Sequence, residues 1–271
     1  MVKAHNLEVL KRGLVLFLRQ EITRFGFRKA IIGLSGGVDS SLAAFLLVEA
    51  LGSENVVGVM LPYRLSSRES LEHARMVADI LSLKPLHIDI TPMADAFIEN
   101  LKIDDKNRIG NVLARVRMII LYDLSAKYGG LVVGTSNKTE LLLGYGTLWG
   151  DLAHAVNPLG DLYKTQVWEL ASYVGVPEEI VRKKPTADLW PGQTDEAELG
   201  LSYAEADAIL YEILELHRRP EQLYDKYGEG KVKRVWTLLK RNQFKRKPPI
   251  IAKVGQVSIN YEFIAPRDWG T

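Results

Sequence analysis

Apolar side chains recur at Leu7, Leu10, Leu14, Phe17, Ile22 and Phe25, a helical spacing that Gly26 ends. Residues 29–34 (KAIIGL) then form a short β-branched run, which predicts a buried strand. A helix is predicted over residues 42–51, stopped by Gly52, and a second strand over residues 55–61 (NVVGVML). In residues 67–81, Leu71, Ala74, Val77, Ala78 and Leu81 share one helical face. A third strand is predicted over residues 85–90 (PLHIDI), helices over 92–101 and 111–128, and a fourth strand over 131–134 (LVVG). Strands alternating with helices in this way predict a doubly wound α/β fold, a parallel sheet with helices on both faces.

The texture changes after Gly134. Gly144, Gly146 and Gly150 fall within seven residues and predict a tight loop. Residues 165–173 read as a helix stopped by Gly175 and Pro177, and residues 185–198, with Pro191 and Gly192, as a loop. Residues 202–217 read as a strong helix whose Ser202 and Glu205 fit a capping box. No repeat, low-complexity stretch or linker stands out. The expectation is one domain over residues 1–271 with a C-terminal helical extension.

Composition narrows the chemistry. The chain has 271 residues, 47% of them apolar and 25% charged, enough for a substantial core and unlike a disordered or collagen-like chain. It contains no cysteine, which excludes thiol nucleophiles, thiolate-bound zinc, iron–sulfur clusters and disulfides. No apolar run reaches the roughly 20 residues that span a bilayer. The first 21 residues carry charges within their apolar stretch, as an amphipathic helix does and a signal peptide does not. A cytoplasmic enzyme is the expectation.

The net charge of +2 hides a split. Residues 231–247 (KVKRVWTLLKRNQFKRK) hold eight basic side chains and no acidic one, leaving 27 basic against 33 acidic elsewhere. A basic segment on an acidic body suggests one anionic site and not general nucleic-acid binding. Trp236 and Phe244 within it read as packing residues and not as platforms for bases.

The best-placed functional feature follows the first strand: Gly33, Leu34, Ser35, Gly36, Gly37, Val38, Asp39 and Ser40, then a helix. In parallel α/β sheets, ligands bind beyond the carboxyl ends of the strands. Glycines let the backbone approach a ligand, and the amides of a turn and helix N-terminus attract an anion. Asp39 would repel a bare phosphate, so it makes most sense as a ligand of Mg2+ on a polyphosphate. Three readings compete here. Asp39 or Ser40 could simply cap a strand–helix turn. Residues 33–37 also satisfy G-x-S-x-G, a nucleophile elbow, which would need a partner such as His154 or His217. The third reading is a pyrophosphate loop, although the Walker lysine and G-x-G-x-x-G are both missing.

SGGVDS resembles the loop of the N-type ATP pyrophosphatases, which split ATP into AMP and pyrophosphate on an adenine nucleotide alpha hydrolase-like fold. Longer blocks sharpen the match. GTSNKTELLLGY, NPLGDLYKTQVWELASYVGVPEEI and KKPTADLWPGQTDEAELGLSY, with NVLARVRM at residues 111–118, resemble NAD+ synthetase over nearly the whole chain. The resemblance implies adenylation of the nicotinate carboxylate of nicotinic acid adenine dinucleotide by Mg-ATP, then displacement of AMP by ammonia. It implies that residues 33–40 bind the phosphates of ATP, with Thr135, Lys164 and Thr186 as further ATP contacts. Asp39 and Glu140 match magnesium ligands. Arg115, with Arg117 close by, and Lys245 match dinucleotide contacts, and Asp151 is expected to bind there and to orient or deprotonate ammonia. It further implies a homodimer built on helices around residues 91–128.

The chain departs from the compact ammonia-dependent pattern TKYGDGG-x-D at residues 147–155 (TLWGDLAHA), placing Leu148 and Ala155 where a lysine and an aspartate are usual. Phe244 replaces a histidine near the C-terminus. TLWGDLA and FKRKPP resemble instead the synthetase domain of the glutamine-dependent branch. That branch carries a glutaminase domain, which is expected to be missing here, and its cysteine nucleophile is absent. Free ammonia is therefore the expected donor, with a separate glutaminase or a different acid substrate as the alternatives.

Overall fold

The computed structural model describes residues 6–24, 26–190, 192–246 and 249–258. Helix α1 (Leu7–Thr23) is capped by Asn6, whose Oδ1 accepts from Val9 N, and it buries Leu18 and Ile22. It ends before Gly26, and Phe25 lies outside the described residues. Strand β1 (Lys29–Gly33) leads into α2 (Val38–Leu51), and β2 (Val56–Met60) into α3 (Arg68–Ile80). Strand β3 (Leu86–His87) precedes α4 (Thr91–Asn100) and α5 (Lys106–Tyr128), after which comes β4 (Gly130–Val133). The four strands are parallel in the order β3-β2-β1-β4. Val156 extends the sheet past β4 through a parallel bridge to Val133. The doubly wound reading of the sequence therefore holds.

The third strand is shorter than its apolar run. The assigned strand holds only Leu86 and His87, but Ile88 N donates to Met60 O (3.0 Å) and Ile90 N to Pro62 O (2.9 Å), so the segment stays alongside its neighbour until the Asp89 carboxylate, accepting from Thr91 N (2.8 Å), leads into α4. Helix α5 begins at Lys106 and not at residue 111, because Asp105 caps it through Arg108 N. Helix α2 begins at Val38, so the last residues of the glycine turn form its first turn.

Helices α6 (Lys138–Leu143), α7 (Lys164–Val174) and α8 (Glu178–Arg182) follow. The expected loop at residues 185–198 contains a short helix, α9 (Asp195–Leu199), ended by Gly200 in the left-handed region. Pro191 lies outside the described residues. Helix α10 (Tyr203–Leu214) has the predicted Ser202–Glu205 capping box and stops short of His217. Helix α11 (Tyr224–Tyr227) precedes the basic segment, which folds as α12 (Glu229–Arg241) and α13 (Gln243–Arg246); Lys247 lies outside the described residues.

One sheet face packs on α1, α2, α3 and α7, and the other on α4 and α5. A third cluster joins α6, α10 and α12, with Trp168 of α7 packed against both it and the first. Helix α2 buries nine of its 14 residues. Each fully buried leucine stabilises by about 1.5–3 kcal/mol, so the helix N-terminus is held firmly at the end of β1. Among the described residues no helix is long and apolar enough to cross a membrane.

Candidate active site

The turn between β1 and α2 is organised by its own hydroxyls. Ser35 Oγ and Ser40 Oγ are 2.9 Å apart, Gly37 N donates to Ser35 Oγ, and the hydroxyls of Ser40 and Ser41 donate to Gly37 O. Gly36 takes φ +76°, and a Cβ there would lie 2.1 Å from Ser70 O in α3. No side chain caps α2, so its first amides and dipole face the carboxyl edge of the sheet. The elbow reading fails on this geometry. Ser35 bonds to Ser40 and to Gly37 N and not to a base, and the left-handed residue of the turn is Gly36. His154 packs instead against Gly134, where a Cβ would come within 2.4 Å of its ring.

Three predicted residues from distant parts of the chain meet at this turn. Lys164 Nζ lies 2.5 Å from Asp39 Oδ2 and 3.5 Å from Glu140 Oε1, and its side chain is 2% exposed. Asn137, which sequence reasoning did not single out, joins the two acids. Its Nδ2 donates to Asp39 Oδ1 (2.9 Å), while its Oδ1 caps α6 by accepting from Glu140 N (2.9 Å). The readable signal was the N-x-x-E capping box at Asn137 and Glu140. Lys164 is fixed from behind. Its amide donates to Thr139 Oγ1, Thr139 donates to Asp207, and Asp207 also accepts from Thr165 N.

Burial works against the Lys164 charge, but Asp39, Glu140 and Asp195 outweigh it and hold the ammonium above its ordinary range. Burial and the charge of Asp39 push the Glu140 carboxyl up to about 8, against the pull of Lys164. The ligand-free Glu140 therefore keeps its proton below about pH 8. Two carboxylates facing one position suit Mg2+, which binds through one or two carboxylates and takes phosphate and water oxygens for the rest. Among the described residues no cluster of three or more metal-ligating side chains competes with that pair.

The Glu140 shift has a consequence for stability. The unfolded chain releases this proton near 4.5 and the folded one near 8. Stability from the protonated form is thus complete below about 4.5 and is lost as pH rises through 8. Thermal unfolding of nucleotide-free, metal-free protein should show a midpoint that falls between about pH 5.5 and 8.5, with a smaller fall in Glu140→Gln. Equal slopes in the two proteins would reject this.

The other predicted residues make separate contacts. Thr135 follows β4 on the same sheet edge. Thr186 Oγ1 accepts from Asp188 N, and Asp188 accepts from Ser67 N, which pins this loop to the start of α3. Lys183 donates to Ser70 Oγ, the residue whose carbonyl Gly36 abuts. Arg115 donates to Leu148 O (3.1 Å), so it meets position 148 through the backbone whatever side chain stands there. Arg117 donates to Leu61 O beyond β2, and its buried guanidinium lies within the charge fields of Asp188 and Asp151. Asp151 Oδ1 accepts from Thr147 N, and Lys245 donates to Gly144 O and Gly146 O. Asp151 and Lys245 thus brace the same glycine turn, at some remove from the Lys164 cluster.

A parallel α/β sheet with a glycine turn leading into an uncapped helix N-terminus, and an acid–lysine–acid cluster beside it, fits a nucleotide-dependent α/β enzyme. The chain belongs to the NAD synthase family, whose model matches residues 10–249. It is 49% identical over 266 residues to the NH(3)-dependent NAD(+) synthetase of Trichlorobacter lovleyi, covering 98% of this chain and 97% of that one. The NH3-dependent NAD synthetase of Campylobacter jejuni superposes with a TM-score of 0.79 at 34% identity, covering 92% of this chain and all of that one. The NMN synthetase of Francisella tularensis superposes with a TM-score of 0.81 at 30% identity, covering 94% and 100%.

Proposed function

We propose that this chain amidates nicotinic acid adenine dinucleotide to NAD+, using ATP and free ammonia and releasing AMP and pyrophosphate. The chain is an enzyme of ammonia-dependent NAD+ synthesis. The meeting of Asp39, Glu140 and Lys164 at the uncapped start of α2 carries this reading. A carboxylate resists amidation because it has no leaving group. Attack of its oxygen on the α-phosphorus of ATP expels pyrophosphate and makes AMP the leaving group. Ammonia then attacks the carbonyl carbon, AMP departs with the bonding electrons, and nitrogen loses a proton.

Residues 33–40 are suited to hold the phosphates through backbone amides, and Lys164 to meet the negative charge that develops as pyrophosphate leaves. Asp39 and Glu140 would hold Mg2+, which neutralises phosphate charge when bound. Thr135 and Thr186 would be further contacts to ATP. Arg115, Arg117 and Lys245 offer cations to the dinucleotide, with Asp151 as the group that orients ammonia or takes its proton. Arg117 and Lys245 already satisfy carbonyls, so their part is to shape the pocket as well as to charge it.

The α4–α5 face exposes Met93, Phe97, Leu101, Ile119 and Tyr122. A second copy of the chain is the proposed cover, and sedimentation equilibrium giving only monomer would remove it. The cytoplasm is the proposed compartment.

Product analysis tests the reaction. With ATP, Mg2+, ammonium and the acid dinucleotide, NAD+, AMP and pyrophosphate should form in equal amounts, and ADP with phosphate would reject adenylation. Glutamine in place of ammonium should give no product, since the chain lacks a cysteine to attack it. A separate glutaminase is needed only if activity on ammonium is poor and a partner restores it. Leu148 and Ala155, together with the likeness to an NMN synthetase, favour running nicotinic acid mononucleotide beside the dinucleotide. A higher kcat/KM on the mononucleotide would move the assignment to that acid.

A further inference from the structure

Asp207, on α10, is fully buried. Its Oδ2 accepts from the amide of Thr165 (2.8 Å), and its Oδ1 accepts from the hydroxyl of Thr139 (2.5 Å). Thr139 Oγ1 in turn accepts from the amide of Lys164 (3.0 Å). Thr139 is fully buried as well, and Lys164 is 2% exposed. Lys164 and Thr165 are the first two residues of α7, whose amides have no partner within the helix. A single carboxylate from another helix, 42 positions beyond Thr165, thus takes both, one directly and one through a hydroxyl.

The direction of these bonds calls for an acceptor at both oxygens. Because Thr139 accepts from Lys164 N, its own proton must go to Asp207, where Thr165 N already offers another. An amide at position 207 would turn a donor towards one of those two donors. A buried donor without an acceptor is costly, so the arrangement requires an aspartate. The consequence reaches the site. Thr139 adjoins Glu140 on α6, and Lys164 opens α7 and sends its ammonium to Asp39. The bonds at Asp207 therefore fix the start of α7 against α6, and with it the point from which the Lys164 stem extends.

We propose that Asp207, acting through Thr139, is a positioning residue that sets where the Lys164 ammonium stands as pyrophosphate leaves. It touches neither the substrates nor the reacting atoms. The inference rests on the functional reading above, which gives Lys164 that task. A shift at the start of α7 misplaces a donor that acts mainly in the transition state, so the loss falls on kcat and little on KM.

In steady-state NAD+ formation, Asp207→Asn should lower kcat by about thirtyfold and leave the KM for Mg-ATP within about twofold. Thr139→Val, which removes the hydroxyl and keeps the shape, should do the same, and Thr139→Ser, which restores the hydroxyl, should recover most of the rate. Glu212→Gln, also on α10, is the control for stability. Its bonds go to Lys226, Tyr227 and Arg218 and not to α6 or α7, so its thermal midpoint should fall without loss of kcat. A double-mutant cycle completes the test. Added to Lys164→Met, which keeps the backbone amide but loses the ammonium, Thr139→Val should still lower the midpoint and cost no further kcat. Equal fold losses in the two backgrounds, wild-type kcat in folded Asp207→Asn and Thr139→Val, or an equal loss in Glu212→Gln would overturn the proposal. If Asp207→Asn does not fold, the two Thr139 variants carry the same comparison. Wild-type protein that makes no amide would reject the functional reading and this inference with it, whereas an active wild type with no effect in the variants rejects this inference alone.

Discussion

Lys164→Met should lower NAD+ formation by about a thousandfold and destabilise the ligand-free protein. The methionine keeps the apolar stem over Tyr203 but removes the one ammonium among Asp39, Glu140 and Asp195. Breaking a buried ion pair from one side costs about 3–5 kcal/mol, because the remaining charge is left uncompensated. Protonation of Glu140 relieves part of that cost at low pH. The drop in thermal midpoint should therefore be larger at about pH 8.5 than at about pH 6. The rate effect has a separate origin, because a donor aimed at charge developing in the transition state is typically worth about two to three powers of ten. Steady-state rates and unfolding scans at both pH values check the two effects independently. Wild-type kcat in this variant would remove Lys164 from the machinery.

Gly36→Ala should be nearly as damaging for a different reason. Its φ of +76° strains any side chain, at about 1–2 kcal/mol for the left-handed region. Its Cβ would also sit 2.1 Å from Ser70 O and 2.9 Å from Ser70 C, atoms of backbone that cannot turn aside. Overpacking of this kind adds about 1–3 kcal/mol. To fit, the turn must part from α3, which also carries the Lys183 contact that seats the 183–188 segment. Mg-ATP affinity and thermal midpoint should fall together. Gly37→Ala is the contrast, since its φ is −92° and the nearest atom to its Cβ is Ser35 Oγ at 3.4 Å. Its midpoint should stay within about 1 kcal/mol of wild type in stability terms. Equal effects at the two glycines would show that the contact with α3 is not what matters.

Much of this site was legible in the chain because it is written in short segments. The turn at residues 33–40 needs only a strand before it and a helix after it. The capping boxes at residues 137–140 and 202–205 likewise involve neighbours three residues apart. The strand predicted over residues 85–90 is assigned to only two residues, yet Ile88 N and Ile90 N carry its bonding on to Met60 O and Pro62 O, so the apolar run did mark the segment that lies along β2. Asn137 was passed over since its second bond, to Asp39, crosses 98 residues of chain. Arg115 and Arg117 looked like a pair in sequence, yet two positions on a helix point about 200° apart, and they reach Leu148 O and Leu61 O.

The sequence by itself determined the alternation of strands and helices, the glycine turn between β1 and α2 and the absence of thiol chemistry. Each depends on residue type and on neighbours a few positions away. Only the tertiary structure decided that Lys164, 125 residues from Asp39, closes on it at 2.5 Å, and that Asp207 gathers the first two amides of α7. The parallel crossovers bring all the strand ends to one edge, so residues far apart in the chain converge there. Local pattern carries no record of which of them will share a buried charge, because that depends on distances set by packing and not on spacing along the chain.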